Sequence, residues 1–245
     1  MIELKPGERI EDLQYKGLRI IQSDTGFRFG TDSVLLASFV TGGASDRIVD
    51  LGAGCGVIAI LVQGRLGASL TAVELQPGGS DMARRSAELN GQDIEVFEGD
   101  MRALGGVLAA GSFDSAVCNP PYHRAGGGRL SKKGEPGFEG AATHDTECTL
   151  EDAAKSAARL LKFGGKLFIC CPASRLSEAF CALSHERLEP KRMRLVSSKP
   201  GKPPYLALIE AKKGAQPGLV IEDTLTILNE SGGATEEIDR IYHKI

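Results

Sequence analysis

A chain of 245 residues with 42% hydrophobic content has room for one substantial α/β domain with its own core, or for one domain with small appendages. Its formal net charge of −3 argues against a generally polycationic nucleic-acid binder and leaves local basic patches open. No early segment joins a basic start, an apolar middle and a small-residue cleavage site, and no run of about 18 apolar residues occurs, so the expectation is a cytoplasmic protein without a membrane partner.

In chain order, residues 1–46 are expected to hold a short hairpin in "LQYKGLRIIQS" and a helix in "TDSVLLASFV", capped by Thr31 or Asp32. "RIVDL", from Arg47 to Leu51, has the pattern of a buried strand, and "GAGCGVIAILVQGRLG" follows as glycines opening an apolar helix. "SLTAVEL" from Ser69 reads as the next strand, "DMARRSAELN" from Asp81 as an amphipathic helix, and "DIEVFEGD" as a third strand ending in a polar turn. "FDSAVC" supplies the fourth strand, and "LEDAAKSAARLLKFGG" a helix for which Gly164 can act as the left-handed stop. "KLFICC", "EPKRMRLVS" and "YLALIEAKK" complete the strands and close the core near Lys213. Strands alternating with helices predict an α/β architecture, a mostly parallel seven-stranded sheet with helices on both faces.

The expected division is an N-terminal hairpin and cap helix over 1–46, a main domain over 47–213 and a tail over 214–245. The tail reads as a hairpin in "LVIEDTLTILNESGG" and a last short helix in "ATEEIDRIY". The run from Tyr122 to Cys148 is glycine-rich, basic and far longer than the usual connection of about 4 to 6 residues, and loops of such length are usually functional or disordered. The six cysteines, Cys55, Cys118, Cys148, Cys170, Cys171 and Cys181, lack the Cys-x-x-Cys spacing of a zinc site or redox pair, so reduced, mostly buried thiols and no metal are expected.

Chemistry concentrates at the strand ends. In "DLGAGCG", Gly52, Gly54 and Gly56 let the backbone turn tightly and approach a ligand where a side chain would collide. The spacing is not that of a G-x-G-x-x-G turn aimed at a pyrophosphate, and Asp50, just before the turn, would repel phosphate. It could instead accept from an amino-acid ammonium, or from a water held by one. Glu74, ending the second strand, suits both hydroxyls of a ribose. Asp100 can accept from an exocyclic adenine amine while Met101 offers a backbone N–H to the ring. A nucleoside with an amino-acid tail is S-adenosylmethionine. Alone, a glycine turn or a terminal glutamate is weak, but the turn, Glu74, Asp100 and Asn119 end four successive strands, and in a parallel sheet those ends share one edge.

"CNPPY", Cys118 to Tyr122, then has a use. An adenine amino group is a poor nucleophile because its lone pair is delocalised into the ring. The Asn119 side-chain oxygen and the Pro120 carbonyl could grip its two N–H bonds and favour a tetrahedral nitrogen, with Pro120 and Pro121 stiffening the acceptors. Tyr122 offers a face on which an extruded base can stack. Standing by itself, the tetrapeptide would read as a proline turn ending a strand.

"DLGAGCG", the Glu74-Leu75 pair, "EGDM" and "NPPY" resemble the class I methyltransferases that modify planar amino or amide nitrogens. More specifically, "ERIEDLQYKGLRIIQ", "FRFGTDSVLLASF", "LKFGG" and "PKRMRLVSSKPGKPPYLALIEAKKG" resemble the bacterial tRNA1(Val) adenine-N6 methyltransferase family over nearly the whole chain. The resemblance implies a Rossmann-like class I fold, S-adenosylmethionine converted to S-adenosyl-L-homocysteine, and methylation of the adenosine beside the anticodon of a valine tRNA. It also implies that Thr31, in "FGTD", contacts the methionine end of the cofactor. Two positions depart from the pattern: "QPGGSDM" replaces the usual charged start of the second helix, and Phe163 stands where proline is common.

An RNA substrate calls for a basic surface. Arg124, Arg129, Lys132 and Lys133 lie in the long loop beside the tetrapeptide and are expected to hold phosphates. Lys191, Arg192, Arg194, Lys199 and Lys202 form a second group that could do the same or be ordinary solvated charges. His144 and Asp145 receive no role. A DNA adenine methyltransferase would usually carry a separate target-recognition domain, a protein glutamine methyltransferase a helical domain before the glycine turn, and a non-catalytic RNA-binding module of this fold would not need Asp50, Glu74 and Asn119 intact.

Overall fold

A computed structural model describes residues 2–24, 30–121 and 148–243. The N-terminal hairpin pairs β1 (Glu8–Asp12) with β2 (Arg19–Ser23), so the stretch read as the whole hairpin contributes its turn and second strand. The hairpin docks on α3 (Pro77–Leu89), where the Ser86 hydroxyl accepts from the Ile21 amide at 2.9 Å and the Asn90 side chain bonds both backbone groups of Arg19. Between them α1 (Thr31–Phe39) starts from Gly30, whose extended backbone forms the cap with no side-chain bond. Thr31 and Asp32 are therefore the first helical residues and not the cap, because the chain already turns helical at Thr31.

The glycine turn leads from β3 (Arg47–Leu51) into α2 (Val57–Leu66), and β4 (Ser69–Glu74), α3, β5 (Ile94–Glu98) and β6 (Phe113–Cys118) follow. Helix α4 (Leu150–Leu160) opens on a capping box in which Thr149 and Asp152 bond each other's backbone amides. It passes directly into β7 (Leu161–Pro172), so Gly164 does not stop the helix. Its φ of +77° instead serves a bulge, where the pairing of β6 with β7 shifts between Phe113↔Leu161 and Ser115↔Lys166. Helix α5 (Leu176–His185), unmarked in the sequence reading, precedes β8 (Leu188–Ser197) and β9 (Leu206–Lys213).

The sheet has eight strands, in the order β10-β8-β9-β7-β6-β3-β4-β5, which corrects the expected seven. The addition is β10 (Val220–Thr226), which pairs parallel to β8 where a tail hairpin was expected. After it, α6 (Glu236–Ile241) is capped by the Thr235 hydroxyl. Strands β3 to β7 run parallel and β9 antiparallel between β7 and β8, so the ends of β3, β4, β5, β6 and β7 share one edge with the start of β9 and the end of β8.

Alternation along the strands sorts the core onto two faces. Ile48, Val117, Phe168, Cys170 and Leu208 pack under α1 and α2, and Leu225 and Ile238 of the tail join that cluster. Val49, Ala116, Leu167 and Ile209 pack under α4 and α5. Cys55, Cys118, Cys170 and Cys171 are buried as free thiols, and Cys181 is exposed. Among the described residues no helix is long and apolar enough to cross a membrane.

Candidate active site

The turn after β3 is made by backbone that side chains resist: Gly52, Gly54 and Gly56 have φ of +77°, +56° and +90°. A Cβ on Gly56 would also lie 3.2 Å from that of Ala83, so this glycine lets α3 press against the turn. Asp50 is fully buried, with one carboxylate oxygen accepting from the Ala59 amide at 3.2 Å and the other without a partner among the described residues. Burial pushes its carboxyl up to about 7, and the nearby Glu74 adds to the effect.

Glu74 reaches back under the turn. One of its oxygens accepts from the Gly54 amide and the other from the Gln76 amide, each at 2.8 Å. A carboxylate offers about four lone-pair sites, so two remain beyond these bonds. The departure at "QPGGSDM" fits this arrangement. Pro77 takes the first turn of α3, where a missing N–H costs nothing, and a Cβ on Gly79 would lie 2.9 Å from Glu74 Cγ and 3.2 Å from the Gly54 carbonyl.

Asp100 follows β5 and caps a short 3-10 turn, Met101–Ala103. Its carboxylate accepts from the Arg102 amide at 2.8 Å and from the guanidinium at 2.6 to 3.0 Å, which holds it below the usual carboxylate range. An adenine amine at Asp100 would share it with Arg102. The Met101 methyl sits 3.2 Å from where a Gly52 Cβ would be, so Met101 closes over the glycine turn.

Asn119 follows β6 on the same edge. Its amide nitrogen donates to the Ser33 hydroxyl of α1 at 3.0 Å, and its oxygen accepts from the Cys170 thiol of β7 at 3.1 Å. Pro120 is buried and Pro121 exposed. Neither Ser33 nor Cys170 was singled out in the sequence. Ser33 lies two residues after Thr31, and Cys170 is one of an adjacent pair, but no pattern shows that β7 turns Cys170 and not Cys171 toward α1. Thr31, at the mouth of α1, faces Tyr242 of the tail, whose phenol it holds down against the rise that burial causes.

The edge thus unites the glycine turn, Glu74, Asp100, Met101, Asn119 and Thr31. Tyr122, Arg124, Arg129, Lys132, Lys133, His144 and Asp145 lie outside the described residues. The second basic group divides. Lys191 donates to the Gln216 carbonyl, Arg192 pairs with Glu210 and Glu222 and stacks on Phe39, and Arg194 pairs with Glu237. Lys199 and Lys202 are exposed.

A methyltransferase small domain family matches residues 21–133. A tRNA1(Val) (adenine(37)-N6)-methyltransferase of Bacteroides fragilis is 29% identical over 80% of this chain and 81% of its own length. The structure resembles that of a predicted O-methyltransferase from Agrobacterium tumefaciens, with a TM-score of 0.70 and 25% identity, covering 86% of this chain and 95% of that one. A geranyl diphosphate C-methyltransferase from Streptomyces coelicolor, solved with S-adenosyl-L-homocysteine, shares the fold at a TM-score of 0.52 and 16% identity over 73% and 78% of the two chains. The fold is the Rossmann-like methyltransferase fold.

Proposed function

We propose that this chain transfers the methyl group of S-adenosylmethionine to N6 of an adenosine in tRNA, the adenosine beside the anticodon of a valine tRNA. The observation that carries the reading is the Asn119 carboxamide, held from α1 and β7 on the edge that also bears the glycine turn and Glu74. Similarity over most of the chain to a protein named for this activity supports the substrate. In this reading residues 47–213 are the catalytic domain, 1–46 and 214–245 are extensions of it, and the enzyme works in the cytoplasm.

The residues fit the cofactor: the turn bares its backbone, Glu74 retains acceptor sites for a ribose, and Asp50 keeps one unfilled buried acceptor. S-adenosylmethionine supplies an electrophilic methyl group, so neither a metal nor a nucleophilic side chain is needed.

The chain's own work is alignment. Asn119 Oδ1, steadied by the Cys170 thiol, would accept an N–H of the target amine. The Pro120 carbonyl accepts the second N–H. Two acceptors fixed in the base plane favour the pyramidal nitrogen of the transition state over the planar ground state, and that difference lowers the barrier. Tyr122 would stack the extruded base. The proton released from N6 passes to water or a nearby acceptor.

The test incubates the protein with radiolabelled S-adenosylmethionine and tRNA from cells lacking its gene, then identifies the modified nucleoside after digestion. N6-methyladenosine in one tRNA is expected. Label in DNA or in protein glutamine would overturn the RNA reading, and absence of transfer to any of the three would overturn the catalytic one.

A further inference from the structure

The loop joining β8 to β9 stands on the edge that bears Asn119, because Val196 and Pro172 both pair with Leu206. Its own bonds and prolines restrain it. The Lys202 amide donates to the Lys199 carbonyl at 3.2 Å, and Gly201 has a φ of +70°. With Pro200 before that glycine, Lys199–Lys202 is a type II turn, which keeps the Cα atoms of the two lysines within about 7 Å. Pro203 and Pro204 then stiffen the approach to Tyr205. Tyr205 is anchored on both sides: its amide donates to the Val196 carbonyl and its carbonyl accepts from the Ala173 amide, each at 2.9 Å. The tail braces the loop from below, through the Ile227 and Leu228 amides bonded to the carbonyls of Ser197 and Ser198.

The contents of this rigid loop differ from the basic residues of the neighbouring strands. Lys191, Arg192 and Arg194 are spent on carboxylates and carbonyls of the chain, whereas Lys199 and Lys202 are exposed and their ammonium groups have no partner among the described residues. Tyr205 is 41% exposed, and its phenol lies 3.5 Å from Asp32 Oδ1. The next residue, Ser33, holds the Asn119 amide, so adjacent residues of α1 touch both Tyr205 and the candidate catalytic side chain. The sequence repeats the device, since Pro203-Pro204-Tyr205 matches Pro120-Pro121-Tyr122.

We propose that Lys199, Lys202 and Tyr205 form a docking surface for single-stranded RNA beside the target adenosine, Tyr205 stacking a neighbouring base and the two lysines holding phosphates of the same strand. An exposed tyrosine anchored by its backbone offers a stacking face that tolerates any base, and paired ammonium groups follow a phosphate chain. Burial and the Asp32 carboxylate push the phenol up to about 12, so the stacking ring is neutral at physiological pH.

The inference rests on the RNA methyltransferase reading, and the test separates the two. Binding of a fluorescein-labelled anticodon stem-loop of a valine tRNA is followed by anisotropy over a range of salt, with S-adenosyl-L-homocysteine binding and thermal unfolding as controls. The double variant Lys199→Ala, Lys202→Ala should bind about tenfold more weakly, with a salt slope flatter by about 1.4, two charges at about 0.7 each. Tyr205→Ala should lose about tenfold with an unchanged slope, and Tyr205→Phe should match the wild type. Wild-type affinity and slope in the double variant, with tRNA methylation intact, would overturn this surface alone. A wild-type protein that neither binds nor methylates RNA would overturn both.

Discussion

The thiol of Cys170 and the side-chain oxygen of Asn119 are 3.1 Å apart, which makes a residue of β7 a support for the amide that ends β6. With Ser33 on the other side, the amide cannot swing without losing both bonds. Asn119→Ala is expected to lower kcat by roughly 10² to 10³, the usual effect of deleting one preorganised transition-state partner, while S-adenosyl-L-homocysteine affinity stays within a few fold. Cys170→Ala should lower kcat by about tenfold, and Cys170→Ser, which keeps a donor, should restore most of it. Equal losses in the two Cys170 variants would show that the cysteine matters for packing only.

Asp50 is expected to make stability depend on pH and, in the proposed reading, cofactor affinity as well. Its carboxyl titrates near 7 in the folded chain, chiefly through burial, against about 3.9 unfolded. Between those values the folded state carries the extra proton, so stability is full below pH 4, falls as pH rises toward 7, and is flat above. Each pH unit in that window is worth up to about 1.4 kcal/mol. Asp50→Asn should therefore unfold at a higher temperature than the wild type at pH 8 and show little difference at pH 4. Cofactor binding to the ionised carboxylate should tighten through pH 7 in the wild type and not in the variant. Calorimetry across pH 4 to 9 measures both.

Adjacent glycines at the start of α3 should answer differently to alanine. At Gly79 the new Cβ would press on Glu74 Cγ at 2.9 Å and on the Gly54 carbonyl, displacing the carboxylate that underlies the turn. Gly79→Ala is expected to weaken cofactor binding by about tenfold or more. At Gly78 nothing lies within 4 Å, and Gly78→Ala should leave binding unchanged and stabilise the helix by up to about 1 kcal/mol. Equal cofactor affinities in the two variants would remove Glu74 from the binding site.

Truncation after Lys213 removes Leu225 and Ile238, which are 1% and 5% exposed in the core beneath α1, together with the Arg194–Glu237 ion pair. Burying a side chain of this size is worth about 1.5 to 3 kcal/mol, so a loss of at least about 3 kcal/mol, or roughly 6 to 12 °C in Tm, is expected. Circular dichroism melts test it. An unchanged Tm would mean that the tail is an appendage to the sheet.

Much of this protein was legible before its structure. Arg47–Leu51 and Phe113–Cys118 were read to the residue, because a parallel strand buried on both faces is a short apolar run bounded by turn residues. Errors fell where a local signal had two uses. Gly164 has the positive φ that a helix stop requires, but spends it on a bulge, and the apolar pattern of Val220–Thr226 suits a hairpin as well as the free edge of β8. Helix α5 was missed because only three of its ten residues are buried, a weak periodic stripe.

The sequence by itself determined the alternation of strands and helices, the glycine turn with its acidic companions, and the amide-proline end of β6, because each depends on the chemistry of a few consecutive residues. Only the tertiary structure decided that Ser33 and Cys170 hold Asn119, that Arg192 and Arg194 are spent on internal carboxylates, and that Tyr205 reaches the N-terminus of α1. Those relationships join residues 18 to 173 positions apart. Register across a sheet is set by the packing of both faces at once, which no stretch of neighbouring residues specifies.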